Sequence, residues 1–228
     1  MSNTIHPTAI IADDVTIGTG NTIGPFATIS GPVTIGDGNW IGAGAVIGAP
    51  PEVRGQEHPP FGERAAGSGV VIGNRNVIRE YAQVHQGWKA VTTLGSDLFI
   101  MNQSYVAHDC VLGDGVTLAS SVLLAGHVTV GEGANLGLGT TVHQRTRIGG
   151  GAMVGMGSTV TRDIPPFAKA YGVPAKIHGA NRVGLERRGL PPEVVAQVVA
   201  LYSHDVPDLS RMSQWPEFAR YLAEWTGA

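Results

Sequence analysis

A single cysteine, Cys110, is all the chain carries, which excludes an intrachain disulfide and a zinc site built from thiolates, and suits a reducing compartment. Charge is scarce too: Asp, Glu, Lys and Arg make up 14% of the 228 residues, against a usual share of about 25%. The net charge of −3 leaves no basic field of the kind that nucleic-acid binding needs, so no such partner is expected. No apolar run approaches the ~18 residues of a membrane span. The opening MSNTIHPTAIIADD lacks the basic-then-apolar order of a signal peptide. These absences predict a soluble, cytoplasmic protein without membrane insertion. With 43% apolar residues the chain can still bury a core, which argues against disorder.

Glycine is what the chain has in excess: 33 residues, about twice the usual ~7% share. Collagen would need a strict three-residue period, which is absent. The period that is present is six. Ile5, Ile11, Ile17, Ile23, Ile29, Ile35, Ile41 and Ile47 fall at every sixth position, and a second series of twelve aliphatic residues runs from Leu94 through Val106, Leu124 and Val142 to Val160. Twelve such hits at this composition arise by chance ~once in 10⁴–10⁵ trials. Ile72, Ile78 and Val84 form a short series between them. Six is neither the helical period nor plain alternation, and suits short flat strands joined by tight turns, with the aliphatic residue inward and glycine at positive-φ corners. The units IGTGNT, IGPFAT, IGDGNW, LGDGVT and VGMGST resemble the hexapeptide repeat of left-handed parallel β-helices, in which three hexads make one triangular coil of 18 residues. The expected fold class is therefore all-β, with the solenoid over residues 1–175.

The phase breaks between Ile47 and Ile72 and between Val84 and Leu94, which predicts loop insertions at 48–71 and 85–93. Insertions in a solenoid gather on one face and often form the binding site. The paired prolines of DIPPFAKAYGVPAK stop the ladder. A C-terminal helical segment, 176–228, follows, with helices expected over 191–204 and 214–226, each with proline at or near its start. Its minimal role is to cover the end of the coil.

With 18 residues per coil, Val106, Leu124 and Val142 stack, and His108, His127 and His143 follow them along one edge. His85 follows Val84 and joins this stack if the second insertion adds four residues. Taken singly, a turn-edge histidine is as readily a surface residue bonded to its own turn. Four on one edge point instead to acid–base chemistry near neutral pH, and Asp109 in VAHDC is placed to orient or support His108.

IREYAQVHQG, NQSYVAHDC, LAGHVTV, TVHQ and GLERRGL, in this order and spacing, resemble the acyl-carrier-protein-dependent UDP-N-acetylglucosamine O-acyltransferases of lipid A synthesis. The resemblance implies that His108 is the general base, that Asp109 supports it and that the Gly126 N–H stabilises the oxyanion. It further implies substrate contacts from His85, His127, His143 and Gln144. Asn181, Arg187 and Arg188 would hold the nucleotide, the arginines as bidentate donors to diphosphate. It implies a homotrimer with sites between subunits, an acyl carrier protein as acyl donor, a UDP-sugar as acceptor, and neither a cofactor nor a metal. Met156 stands where the family sets acyl-chain length, which implies a medium or short, 3-hydroxyacyl-type chain; alternatively it fills an interior gap. The basic residues Arg145, Arg147, Arg162, Lys169, Lys176, Arg182, Arg187 and Arg188 are either a solvated face or a dock for the acidic carrier.

The sugar end departs from the family. Its Pro-Gln-Asp-x-Lys-type loop reads PPEVRG here, with Glu52, Val53 and Gly55 at the matching places; Tyr105 stands for a histidine and Val183 for an acidic residue. The alternative in the same fold is an acyl-CoA- or acyl-ACP-dependent O- or N-acyltransferase with another sugar nucleotide or a small hydroxyl or amine as acceptor. A zinc-dependent carbonic-anhydrase-like trimer would also use spaced histidines, but needs no GLERRGL tail. A structural or ice-binding solenoid would show threonine faces without insertions.

Overall fold

Each hexad contributes only two or three residues to a strand, because a turn interrupts the extended chain before the next aliphatic residue. In the computed structural model, which describes residues 1–56, 67–203 and 207–226, these short strands stack into three parallel sheets of ten, eight and seven strands. Part of the first expected insertion, 57–66, lies outside the described residues.

The register shows how one period-six series supplies three faces. Ile5 pairs with Ile23 in the first sheet, Ile11 with Ile29 in the second and Ile17 with Ile35 in the third, each 18 residues apart. All of these aliphatics point inward, and Ile23, Ile29, Ile35, Ile41 and Ile47 are at most 1% exposed. Ile5, by contrast, is 44% exposed, since it belongs to the first coil and nothing stacks beneath it. The aliphatic column is the main source of stability, because it removes apolar area from water on every coil. Replacing the fully buried Leu118 with alanine should lower unfolding free energy by ~2–5 kcal/mol. Denaturant titration checks this: the midpoint should fall with an unchanged slope.

Both insertions are visible in the register. Ile47 pairs with Val84, 37 residues on, and Val84 with Val106, 22 residues on instead of 18. The second insertion thus adds four residues, and His85 lies one coil before His108.

Three edges join the sheets. The first edge leads from the first sheet to the second, the second edge from the second to the third, and the third edge back to the first. Glycine at positive φ serves the third edge at Gly115, Gly133 and Gly151 and the first at Gly139 and Gly157. Not every corner follows the expectation of glycine: Tyr81, Gln103 and Ser121 on the first edge and Arg75 and Asp97 on the third also take positive φ. On three successive coils the left-handed position of the second edge is held by Asp109, His127 and Arg145, with φ of 60°, 61° and 62°.

The cap begins later than expected. Ala168–Gly172 pairs antiparallel with Ala175–Ala180, so the first sheet crosses the predicted boundary at 175 and ends at Ala180. A short helix, α1 (Arg182–Arg187), was not foreseen; six residues carry too little periodicity to read. Helix α2 covers Pro192–Leu201, and the helix expected from 214 begins as 3₁₀ turns before α3 (Ala219–Thr226). The end of the expected 191–204 helix, His204, lies outside the described residues. The cap is fastened to the last coil by Phe167, whose ring meets Phe218 at 5.0 Å and Tyr221 at 4.8 Å. No described helix is long and apolar enough to cross a membrane.

Candidate active site

His85 ends a strand of the second sheet, and His108, His127 and His143 follow strands of the same sheet, so all four lie along the second edge. They do not form one cluster. His108 and His127 meet edge to face, ring centroids 5.1 Å apart. His85 is buried, donates from Nδ1 to the Pro50 carbonyl at 2.8 Å and packs on Tyr105 at 5.1 Å. His143 is exposed and donates from Nδ1 to the neighbouring Gln144 carbonyl at 3.1 Å, the local turn bond that a lone histidine makes. The Gln144 side chain is exposed beside it.

At the centre, His108 Nδ1 lies 2.6 Å from Asp109 Oδ2. Neighbours in sequence can meet in this way because Asp109 takes the left-handed corner conformation, one that aspartate tolerates better than most residues. The carboxylate also accepts the main-chain N–H groups of Trp88, Lys89 and Ala90 at 3.2, 2.7 and 2.5 Å. The Asp109 N–H donates to Thr92 Oγ1 at 2.9 Å. Burial by itself would raise the Asp109 pKa, but the hydrogen bonds from Ala90, His108, Lys89 and Trp88 outweigh it and hold the group below the usual carboxylate range. The bond to an ionised Asp109 favours the His108 tautomer with its proton on Nδ1, which turns the Nε2 lone pair away from the carboxylate.

The second insertion therefore folds over the Asp109 carboxylate as a cradle of N–H groups. Sequence reasoning missed Trp88, Lys89, Ala90 and Thr92 because main-chain donors leave no side-chain signature. The usable signal was a four-residue insertion one coil before the His-Asp pair.

His127 Nε2 stands 3.7 Å from Asp109 Oδ2. Burial depresses its pKa, Asp109 opposes this, and the charges of Arg145 and His108 add to the depression. The balance holds the His127 pKa below the usual imidazole value.

Gly126 lies against the His108 ring: a Cβ built on it would come within 2.5 Å of Cε1 and 2.6 Å of Nε2. Its carbonyl accepts the Arg145 N–H at 3.0 Å, while its own N–H meets no acceptor among the described residues. A main-chain N–H without an internal partner, on a residue packed against an imidazole, is a feature that acyl-transfer sites use.

His108, Asp109 and His127 hold their ligand atoms within 4.8 Å of one another, so three donors for a cation are present. Four donors already occupy both oxygens of Asp109, and a metal would have to displace them. The arrangement fits a hydrogen-bonded acid–base pair better than a metal centre.

The remaining predicted residues lie on other edges. Asn181 caps α1, accepting the Gly184 N–H at 3.1 Å and donating to Gly151 O at 2.9 Å. Arg188 donates to Gly184 O and Gly133 O, and its guanidinium covers Phe167 at 5.2 Å. Gly133 and Gly151 are on the third edge, so within one chain these two residues stand apart from the histidines. Arg187 is exposed. Met156, on the first edge, is 73% exposed, so it fills no interior gap. The expected basic patch is partly consumed: Arg147 covers Trp225, Arg182 pairs with Glu186 and Arg188 is held as described. At the departed sugar end, Tyr105 donates its hydroxyl to the Glu52 carboxylate, and burial followed by that bond raises the phenol pKa.

A family profile described as UDP-N-acetylglucosamine O-acyltransferase, domain 2, matches residues 163–204. The acyl-[acyl-carrier-protein]–UDP-N-acetylglucosamine O-acyltransferase of Caulobacter vibrioides is 44% identical over 220 residues, which cover 87% of this chain and 81% of that protein. The UDP-N-acetylglucosamine acyltransferase of Campylobacter jejuni superposes with a TM-score of 0.73 at 31% identity, covering 93% of this chain and 87% of that one. That of Moraxella catarrhalis gives a TM-score of 0.73 at 27% identity, over 96% and 95%. With a relative this similar along most of both chains, the protein is an acyltransferase and belongs to the UDP-N-acetylglucosamine O-acyltransferase family.

Proposed function

We propose that the protein moves an acyl group from acyl carrier protein to the 3-position of a UDP-N-acetylglucosamine-type sugar nucleotide, with His108 as the general base. The observation that supports this is the His108–Asp109 bond through Nδ1, which leaves Nε2 on the side of the ring where the Gly126 main chain packs. His108 Nε2 removes the proton from the sugar hydroxyl as its oxygen attacks the thioester carbonyl. A C–O bond forms, and the carbonyl oxygen becomes an oxyanion that accepts the Gly126 N–H. The intermediate then collapses, the C–S bond breaks, and the departing thiolate takes the proton from imidazolium Nε2. The products are the sugar ester and the carrier thiol, and Asp109 stays ionised throughout. His127 is a substrate contact next to the base.

The assembly is a homotrimer in this reading. The histidines occupy the second edge, while Asn181, Arg187 and Arg188 belong to the tail segment, which packs at the third edge. A second copy can bring its tail, or its first edge with Met156, against the histidines of the first. The exposed Arg162, Lys169 and Lys176 offer charge to an acidic carrier protein.

Exposed on the first edge, the Met156 side chain blocks the far end of the acyl groove and selects a medium or short chain. Met156→Gly should shift the preferred donor to a longer acyl chain, read as the ratio of kcat/KM across a chain-length series. An unchanged ratio removes Met156 from the groove.

One observation favours a second acceptor. The Glu52 carboxylate beside Tyr105 would attract an ammonium group, so a 3-amino sugar nucleotide is the alternative substrate. Pairing acyl carrier protein and CoA thioesters with UDP-N-acetylglucosamine and its 3-amino analogue tests both readings. The main one requires preference for the carrier-protein donor and the hydroxyl acceptor.

A further inference from the structure

Asp109 and His127 are the first two members of a three-residue series, and Arg145 is the third. All three take the left-handed conformation at the same corner of successive coils, as the register Tyr105 to Leu123 to Thr141 requires. Aspartate can support this conformation with its own short polar side chain. Arginine has no such local support, but Phe26, Tyr81 and Gln103 hold the same conformation at the first edge, so what sets Arg145 apart is its place on the edge that carries the histidines.

Arg75 shows what arginine does at such a corner when the role is structural. It takes the same conformation and spans one coil to form a two-pronged pair with Asp97, at 2.8 and 2.6 Å. Arg145 has no such partner: among the described residues no carboxylate, carbonyl or aromatic ring receives its guanidinium. The main chain is nonetheless firmly placed, since its N–H donates to the Gly126 carbonyl at 3.0 Å. An exposed, unpaired guanidinium thus extends from a fixed main-chain position one coil beyond His127, and its charge already reaches the His127 ring.

We propose that Arg145 is a specificity-determining residue that binds a phosphate oxygen of a substrate at the His108 edge. This rests on the reading of the site as one for a sugar nucleotide and a carrier-borne thioester. Both of those are phosphate esters, and a planar guanidinium is the natural donor to phosphate. The phosphate comes either from the diphosphate of the acceptor or from the phosphopantetheine arm of the donor.

Equilibrium titration of the full-length protein with three probes separates the sources: UDP-N-acetylglucosamine, 4′-phosphopantetheine and pantetheine. Arg145→Gln should weaken binding of one of the two phosphate-bearing probes by about tenfold or more, and that of pantetheine by less than about twofold. Arg145→Lys should recover part of the loss, and added salt should narrow the difference between parent and variant. Arg145→Gly separates a functional from a structural role. Glycine relieves the left-handed strain, so its Tm should rise by about 2–4 °C while phosphate affinity falls. Turnover assays should show the same substrate's KM raised with kcat within about threefold of the parent. Unchanged affinity for both phosphate probes in Arg145→Gln overturns the proposal, as does a lower Tm in Arg145→Gly. A parent enzyme that binds 4′-phosphopantetheine through Arg145 but acylates no sugar nucleotide would overturn the substrate assignment instead, and leave this inference standing.

Discussion

Replacing His108 with alanine is expected to lower kcat/KM by ~10²–10⁴-fold, the range that a positioned base contributes. The fold should be little affected. The ring is partly exposed at a corner, and Asp109 keeps the N–H groups of Trp88, Lys89 and Ala90, so its charge is not left bare. The pH profile gives a second readout. The acid limb of kcat/KM reports protonation of the base in the free enzyme, and it should disappear from the residual activity of the variant. Asp109→Asn keeps the size of the side chain but removes the charge that favours a His108 proton on Nδ1, so it should also be strongly impaired, with its acid limb displaced. Activity of His108→Ala within about threefold of the parent would end the base assignment.

The parts of this site that could be read in the sequence are those carried by side chains in a fixed period. The six-residue phase of the aliphatics dictates a solenoid, and 18-residue spacing puts His108 and His127 on one edge because each coil repeats the last. Spacing could not distinguish their fates from those of His85 and His143. Which way a corner side chain turns depends on the local main chain, and His85 is drawn to the Pro50 carbonyl by the first insertion. The cradle over Asp109 was illegible for a different reason: it is made of N–H groups, which every residue but proline possesses. The glycine count misled at several corners, because residues other than glycine take the left-handed position on all three edges. On the second edge the left-handed corner holds Asp109, His127 and Arg145, as it holds Tyr81, Gln103 and Ser121 on the first edge, so what marks the second edge is the chemistry of its corner residues and not a lack of glycine. Asn181 was legible as a conserved-type polar residue only through resemblance, and its side chain is engaged in capping α1.

The second large effect is expected at a residue with no side chain. Gly126→Ala should reduce kcat/KM by ~10²-fold or more, because a shift of about 1 Å in a catalytic group is enough for such a loss. The added Cβ would sit 2.5 Å from His108 Cε1 and 2.6 Å from Nε2, well inside ordinary contact. The ring cannot simply retreat. Asp109 holds Nδ1 at 2.6 Å, and the His127 and Trp88 rings abut it edge to face at 5.1 and 6.2 Å. Either His108 gives up its bond to Asp109, or the Gly126 main chain moves and carries its N–H away from the oxyanion. Both outcomes damage the reaction. Backbone strain is not the cause, since the positive-φ glycines do not include Gly126, and alanine is acceptable to the chain itself. Gly115→Ala supplies the contrast. Gly115 has φ of +66° and open space, its nearest neighbour being Gly133 Cα at 3.8 Å. That variant should lose ~1–2 kcal/mol of stability through strain and keep its activity, since the third edge is away from the base. The two variants should therefore separate, one losing activity with a nearly unchanged Tm and the other losing Tm with unchanged activity. If Gly126→Ala instead behaved like Gly115→Ala, close contact between Gly126 and the base could not be part of the mechanism.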